Sequence, residues 1–241
     1  MLPDISKNTD ELSEKAAVWM IAYIKEVLQK QDHFTIALSG GNTPKKLYQL
    51  LASEKYKHQL DWSKLHFFWG DERYVPFDDD SNNAKMAFEL LFDHVPVKKD
   101  QIHIMRTDIE PEESAMNYEK ILKRYFENNS STFDLVLLGL GDNAHTLSLF
   151  PGYDNIYEKQ KWVMAFYLHE QKMYRITLTA TVVNRANRVV FLVAGGDKAV
   201  PLYHVLYGEH DPGQYPAQLI QPYEAEPKWF IDEAAAAEIQ K

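Results

Sequence analysis

Four short apolar runs recur along this chain of 241 residues, each followed by a polar or glycine-containing turn and a segment of helical periodicity. Unbroken apolar runs of this length are typical of strands buried on both faces of a parallel sheet. The pattern predicts an α/β fold with an open, mainly parallel, Rossmann-like sheet and helices on both faces. The predicted strands are 34–38, 65–69, 133–138 and 189–194, with 161–168 and 174–180 as additional ones.

The two ends of the chain predict helices. Apolar residues at helical spacing over 12–28 indicate an opening amphipathic helix, with Asn8 and Glu11 as a capping pair. The tail from Trp229 to Lys241 is predicted to end in a short helix. No linker, low-complexity tract or internal repeat divides the chain, so residues 1–241 are predicted to form a single α/β domain.

Charge and composition exclude several classes of function. A net charge of −9 argues against the broad basic face that binds nucleic acid, although a few converging cations can still hold one small phosphorylated metabolite. The absence of cysteine excludes disulfides, thiolate nucleophiles and Cys-ligated zinc. No apolar run approaches the roughly 20 residues of a membrane span and no signal segment is evident, so we predict no membrane partner and a cytoplasmic location.

A glycine loop, Ser39-Gly40-Gly41-Asn42-Thr43-Pro44, follows the first predicted strand. Its glycines allow close approach, Thr43 can cap the next helix, and Pro44 suits the first helical turn. The free N–H groups and the positive end of the helix dipole then predict a phosphate cradle. The alternative is an ordinary strand-to-helix turn, since the Lys-Ser/Thr of a Walker loop is missing.

The second predicted strand ends in Gly-Asp71-Glu72-Arg73. Two carboxylates and a guanidinium at a strand's carboxyl end can orient a polar substrate, but mixed surface charge is the alternative. In the segment that follows, Ser81 is predicted to cap a helix.

The third motif is Gly139-Leu-Gly-Asp142-Asn143-Ala-His145-Thr146, again at a strand end. Its glycine spacing imitates a dinucleotide fingerprint, but no ribose-binding acid follows about 20 residues later, so we exclude a nicotinamide cofactor. A histidine placed here can act as a general acid or base, although a lone histidine can equally be structural.

Two cations complete the set of candidates. Arg175 lies in the run Arg-Ile-Thr-Leu-Thr, and Lys198 follows Gly-Gly-Asp after the strand 189–194. Both can join the glycine loop around one phosphate if the fold brings them together. Taken singly, each can be a solvated surface cation.

In order and spacing, these motifs resemble the 6-phosphogluconolactonase family, from the first strand to Tyr-Pro-Ala-Gln-Leu-Ile-Gln-Pro near residue 222. The resemblance implies a sheet related to the glucosamine-6-phosphate deaminase fold and hydrolysis of 6-phospho-D-glucono-1,5-lactone to 6-phosphogluconate in the oxidative pentose phosphate pathway. It implies no cofactor and no metal. The expected partner is a phosphorylated sugar lactone; oligomeric state is open, with a monomer compatible.

The resemblance also implies roles for individual residues. The general base falls on His145, and Asn143 and Asp71 complete the implied catalytic group. Asn143 stands where the family usually has Asp, so either Asn143 orients His145 without a charge or Asp142 has taken that role. The implied substrate-binding residues are Ser39, Gly40, Gly41, Thr43, Glu72, Arg73, Arg175 and Lys198.

Water attack suits these residues, because the chain contains no Gly-x-Ser-x-Gly nucleophile motif and no metal-ligand spacing among its nine histidines. One alternative function is a glucosamine-6-phosphate deaminase or sugar-phosphate isomerase, which needs a carboxylate base that Asn143 cannot provide. Another is a non-catalytic sugar-phosphate sensor, although no DNA-binding segment is evident.

Overall fold

The computed structural model describes residues 2–239 of the chain. Within this range the strands are β1 (Asp4–Ser6), β2 (Phe34–Leu38), β3 (Leu65–Trp69), β4 (Asp71–Arg73), β5 (Leu135–Leu138), β6 (Val163–Leu168), β7 (Met173–Leu178), β8 (Val189–Val193) and β9 (Lys228–Asp232). The α-helices are α1 (Thr9–Val27), α2 (Asn42–Ala52), α3 (Asn83–Leu90), α4 (Pro111–Phe126), α5 (Ala180–Val183) and α6 (Ala199–Tyr207).

The main sheet has six parallel strands in the order β1-β9-β8-β5-β2-β3. The predicted fold class is therefore confirmed, and all four predicted buried runs are strands of this sheet. In chain order, β3 is added on one side of β2, and β5, β8 and β9 are then added on the other side. Loops that leave β2 and β5 therefore open a crevice at the carboxyl ends of the strands.

Five strands of the main sheet, β2, β3, β5, β8 and β9, contribute side chains to two separate cores. In β5, Leu135 and Leu137 pack in the core under α1, α2 and α3, whereas Val136 and Leu138 pack in the core under α4 and α5. Successive side chains of a strand point to opposite faces. Burial on both faces explains why these segments are continuously apolar.

A second sheet of three antiparallel strands, β4-β7-β6, branches from the first at Gly70. Gly70 donates its N–H to Leu38 O at 2.9 Å and accepts from Leu178 N at 2.8 Å, so it joins both sheets. A Cβ on Gly70 would lie 2.6 Å from the side chain of Leu147. This branch places β4 and β7 beside the carboxyl ends of the main strands.

The predicted first helix is confirmed, and the Asn8 side chain accepts from Glu11 N at 3.0 Å as its cap. The predicted helix at the end of the tail is wrong for the described residues, because 233–239 form successive turns after β9. Residues 240–241 lie outside the described range. Ser81 does not cap α3; Asn82 does, accepting from Lys85 N at 2.9 Å.

Across residues 2–239, no helix combines the length and apolar character that a membrane crossing requires.

Candidate active site

A pocket of about 390 Å³ lies at the carboxyl ends of β2, β5 and β8. Here the chain has added β3 on one side of β2 and adds β5 and β8 on the other. Three loops of the main sheet and the facing edge of the small sheet surround it. Its polar and charged lining includes Ser39, Asn42, Thr43, Asp71, Arg73, His145, Thr146, Gln171, Arg175, Asp197 and Lys198. The structure thus brings most of the predicted site residues together.

The glycine loop forms one wall of the pocket. Gly41 has φ of 94°, a value that favours glycine, and α2 begins at the next residue without any side-chain cap. The predicted cap by Thr43 is therefore wrong, since Thr43 lies inside the first helical turn. The uncapped first turn leaves backbone N–H groups at the pocket, as an anion site requires.

Two contacts fix the glycine loop in place. The buried Tyr48 hydroxyl donates to Ser39 O at 2.7 Å and accepts from Ser39 N at 3.0 Å. Asn83 packs so closely against Gly40 that a Cβ there would lie 2.0 Å from Asn83 Oδ1. The shape of the loop therefore depends on α2 and α3 as well as on its own glycines.

The loop after β5 is a tight turn that presents His145. Gly141 donates its N–H to His145 O at 2.8 Å, and Ala144 adopts φ of 60°. The imidazole folds back over Gly141, where a Cβ would lie 2.0 Å from His145 Nδ1. Glycine at position 141 is thus required by the position of the histidine ring.

Asn143 determines which imidazole nitrogen carries the proton. Its Oδ1 lies 2.5 Å from His145 Nδ1 and 3.2 Å from the His145 backbone N. A backbone N–H can only donate, so the Asn143 atom facing it is the oxygen, and Nδ1 must donate to that same oxygen. Nε2 of His145 is then left with a lone pair. Asp142 interacts with the ring only through its charge.

Burial keeps the imidazole neutral. It lowers the pKa of His145 to about 4, while the Asp71 charge raises that pKa and the Arg175 charge lowers it. The ring stacks on Phe150 with centroids 4.1 Å apart. A neutral imidazole with a free Nε2 can accept a proton.

Asp71 and Arg175 form the polar wall opposite the glycine loop. Asp71, 7% exposed, accepts from Ser148 Oγ at 2.6 Å, and its Oδ2 lies 3.8 Å from Arg175 Nη1. Arg175 is 5% exposed and donates through Nη2 to Gln171 Oε1, while its Nε has no partner within residues 2–239. A buried guanidinium with an unused N–H is suited to an anion.

Arg73 and Lys198 supply further positive charge. Arg73 is paired directly opposite Arg175 in the β4–β7 ladder, and it donates to Ser81 O at 2.9 Å. Like charges at facing positions repel, so an anion between them is favoured. Lys198 lies 2.7 Å from Asp197 at the start of α6.

Glu72 lies apart from the pocket lining, which corrects the prediction that it contacts substrate. Its carboxylate is 1% exposed and accepts from the backbone N–H groups of Arg73, Asn83 and Ala84 at 2.7–2.8 Å. Burial raises the pKa of Glu72 to about 8. Glu72 therefore anchors the N-terminus of α3.

Sequence reasoning did not assign Thr146, Gln171 and Asp197, which line the pocket, or Ser148 and Phe150, which contact Asp71 and His145. Ser148 and Phe150 are only a few residues beyond His145, and their proximity to it was the available signal. Gln171 has no motif around it and reaches the pocket only because β6 and β7 form a hairpin. In the described part of the chain, no three Asp, Glu or His side chains converge as a metal site.

Fold and pocket together define a Rossmann-like α/β protein with a cation-lined pocket and a neutral histidine at the carboxyl ends of the parallel strands. Residues 7–229 match the model of the family described as glucosamine-6-phosphate isomerases/6-phosphogluconolactonase. The chain belongs to this family, which confirms the resemblance drawn from its motifs.

Individual proteins that resemble this chain in sequence or structure agree with this family assignment. A 6-phosphogluconolactonase of Synechocystis is 40% identical over 98% of both chains. The solved 6-phosphogluconolactonase of Trypanosoma cruzi is 27% identical with a TM-score of 0.86, covering 100% of this chain and 98% of that one. A monomeric glucosamine-6-phosphate deaminase has a TM-score of 0.84 over 99% and 100% of the two chains, and at 21% identity this likeness concerns the fold alone.

Proposed function

We propose that this protein is a 6-phosphogluconolactonase, which hydrolyses 6-phospho-D-glucono-1,5-lactone to 6-phosphogluconate in the oxidative pentose phosphate pathway. The observation that carries the proposal is the neutral His145, held by Asn143 with Nε2 free, in a pocket lined by cations. The Synechocystis relative at 40% identity, which bears that enzyme's name, supports it.

The phosphate is proposed to bind between the uncapped first turn of α2 and the side chains of Arg175 and Lys198. Helix N–H groups and a guanidinium are donors suited to phosphate oxygens. All three elements line the same pocket. Arg73, opposite Arg175 in the ladder, adds charge that an anionic substrate would compensate.

Catalysis is proposed to begin when His145 Nε2 takes a proton from a water molecule that attacks the lactone carbonyl carbon. The tetrahedral intermediate then collapses, the bond from that carbon to the ring oxygen breaks, and imidazolium returns the proton to the ring oxygen. A lactone carbonyl is already electrophilic, so no covalent nucleophile is required. Asn143 is proposed to hold the ring in the active tautomer.

Asp71 is proposed to stabilise the imidazolium that forms during this step. Its charge raises the pKa of His145, which means that it favours the protonated ring. The hydrogen bond from Ser148 and the nearby Arg175 hold the carboxylate in place. No metal or organic cofactor is needed for this sequence of proton transfers, and metal independence and a cytoplasmic location remain predictions.

One observation favours a second candidate function. Asp71 places a carboxylate in the pocket, and a sugar-phosphate isomerase or deaminase uses such a base to move a proton between C1 and C2. Asn143, beside the histidine, is an amide and cannot take that role.

The deciding experiment is stopped-flow detection of acid release from freshly generated 6-phosphogluconolactone, with and without the protein. We expect faster acid release with the protein, and no ammonia from glucosamine 6-phosphate. Ammonia release without lactone hydrolysis would support the deaminase instead. Binding of sugar phosphates without either reaction would indicate a sensor.

A further inference from the structure

Gln171 lies in the turn that joins β6 to β7. It ends a single 3₁₀ turn, His169–Gln171, and Lys172 follows in the left-handed region with φ of 51°. The turn is anchored from outside, because the Tyr153 hydroxyl accepts from His169 N at 2.9 Å and donates to Glu170 at 2.5 Å. The backbone that carries Gln171 is therefore held in one position.

From this position Gln171 reaches Arg175, four residues further along the chain. Its Oε1 accepts from Nη2 of Arg175, while Nη1 on the other side faces Asp71. Within residues 2–239, Gln171 accepts the side-chain hydrogen bond that orients the buried guanidinium plane, and Asp71 forms an ion pair with it at 3.8 Å. The Gln171 amide NH₂ has no hydrogen bond within residues 2–239, and the side chain lines the pocket.

Gln171 and Asp71 differ in charge, and this difference affects anion binding at Arg175. Asp71 compensates part of the positive charge of Arg175, whereas the neutral amide of Gln171 orients the guanidinium and leaves that charge in place. A carboxylate at position 171 would compensate Arg175 fully. Three cations (Arg73, Arg175 and Lys198) and two carboxylates (Asp71 and Asp197) line the pocket, so it keeps one excess positive charge only while residue 171 is uncharged.

We propose that Gln171 is a positioning residue that orients Arg175 toward the anionic group of the substrate without neutralising it. The proposal rests on the proposed function for the identity of the substrate. The geometry itself requires only that an anion bind at Arg175. Gln171 is accordingly a determinant of preference for phosphorylated over unphosphorylated lactones.

The test compares Gln171→Met, which keeps the side-chain length but removes the acceptor, with Gln171→Glu, which keeps the acceptor and adds a charge. Gln160→Met is the matched control, since Gln160 is exposed and outside the pocket. Affinity for inorganic phosphate is measured by calorimetry, and kcat and KM are measured with 6-phosphogluconolactone and with glucono-1,5-lactone. Thermal unfolding verifies that each variant is folded.

For Gln171→Met we expect phosphate affinity to fall and KM for the phosphorylated lactone to rise, each about 10-fold, since the lost bond is to a charged donor. We expect kcat for the phosphorylated lactone, and both constants for glucono-1,5-lactone, to stay within about twofold of the wild type. Gln171→Glu should also weaken phosphate binding, and Gln160→Met should change nothing.

Equal losses with both lactones, unchanged phosphate affinity in both Gln171 variants, or a wild-type protein that binds no phosphate would overturn the proposal. If Gln171→Met does not fold, the phosphate affinity of Gln171→Glu is the deciding measurement, and an affinity equal to that of the wild type would overturn the proposal. Calorimetry does not depend on turnover. A wild-type protein that binds phosphate at Arg175 but hydrolyses no lactone would therefore contradict the proposed function and not the role of Gln171.

Discussion

His145 Nδ1 lies 2.5 Å from Asn143 Oδ1, and the same oxygen accepts from the backbone N–H of His145. Both ends of this contact belong to one five-residue turn, which closes with the bond from Gly141 N to His145 O. The tautomer of the histidine is therefore set locally, by an uncharged acceptor two residues away. This arrangement gives the first prediction.

Asn143→Asp places a carboxylate against the imidazole and should raise the pKa of His145 above its buried value of about 4. The base works only when neutral, so the acidic limb of kcat/KM should move to higher pH. Asn143→Ala should leave the limb near its original position and lower the plateau, because orientation is lost without a change in charge. The three pH profiles are measured at one ionic strength.

An acidic limb that does not move in Asn143→Asp would mean that residue 143 does not act on the ring in solution. Asp142→Asn would then be the next variant, because Asp142 is the other nearby acid whose charge raises the pKa of His145.

His145→Gln should lower kcat by roughly 10²–10⁴-fold and leave KM nearly unchanged, as expected for the loss of a general base. His210→Gln is the matched control, since His210 is exposed and does not line the pocket. Steady-state kinetics with 6-phosphogluconolactone provide the measurement. More than half of the wild-type kcat in His145→Gln would remove His145 from the mechanism.

Arg175→Ala and Lys198→Ala should mainly raise KM for the phosphorylated lactone. Both residues are proposed to hold a group remote from the bond that breaks, so kcat should change little. The effect should be larger for Arg175, which is buried beside Asp71, than for Lys198, which is paired with the exposed Asp197. Kinetics with glucono-1,5-lactone are the comparison; equal losses on both substrates would contradict phosphate binding at these residues.

Gly40→Ala should lower the free energy of unfolding by about 1–3 kcal/mol, because the new Cβ overlaps a packed side chain. That Cβ would lie 2.0 Å from Oδ1 of Asn83, whose Nδ2 donates to Asp71 O at 3.0 Å. Displacement of Asn83 should therefore also disturb the pocket and raise KM. Gly196→Ala is the control, because its Cβ would meet nothing within 4 Å. Urea unfolding of both variants tests the difference, and equal stability would contradict the packing argument.

A half-buried histidine pair, His66 and His103, should make folding sensitive to acid. The Tyr125 hydroxyl lies 2.8 Å from His103 Nε2 and 3.0 Å from His66 Nδ1, and burial lowers the pKa of both rings, that of His103 to about 4. The unfolded chain takes up these protons near pH 6.5, so stability is full above that pH and falls as the pH drops toward 4.

Unfolding free energies at several pH values between 7 and 4 test this, with His103→Gln as the comparison. The variant should show a shallower loss of stability on acidification, whatever its stability at pH 7. An identical slope in the wild type and the variant would exclude His103 as a source of the acid sensitivity.

Periodicity in the sequence was enough to predict four of the six strands of the main sheet, but it did not identify β1 or β9. An unbroken apolar run is favourable only where both faces of a strand are covered, so the runs 34–38 and 189–194 could be identified as strands without knowledge of their neighbours. Loops that follow such strands must meet at one edge. The Ser39–Thr43 loop, His145 and Lys198 could therefore be placed at a common site, and the motif order indicated the family.

Tertiary structure decided what the side chains in those loops do. Asp71, Glu72 and Arg73 are adjacent in sequence, but the three-residue strand β4 turns Asp71 and Arg73 toward the pocket and Glu72 toward α3. Alternate side chains of a strand point to opposite faces, but this applies to Asp71, Glu72 and Arg73 only once β4 pairs with β7. A run of three residues is too short for its periodicity to predict that pairing.

The same holds for the contacts that cross between segments. The pairing of Arg73 with Arg175 and the contact of Asn83 with Gly40 join parts of the chain that no local pattern connects. Gln171 contacts the guanidinium four residues further on only because the turn between β6 and β7 places it there. Local sequence determines propensity and periodicity, which act over a few residues. Register and packing depend on the free energy of the whole assembled core, and they alone determined which polar atoms face the pocket.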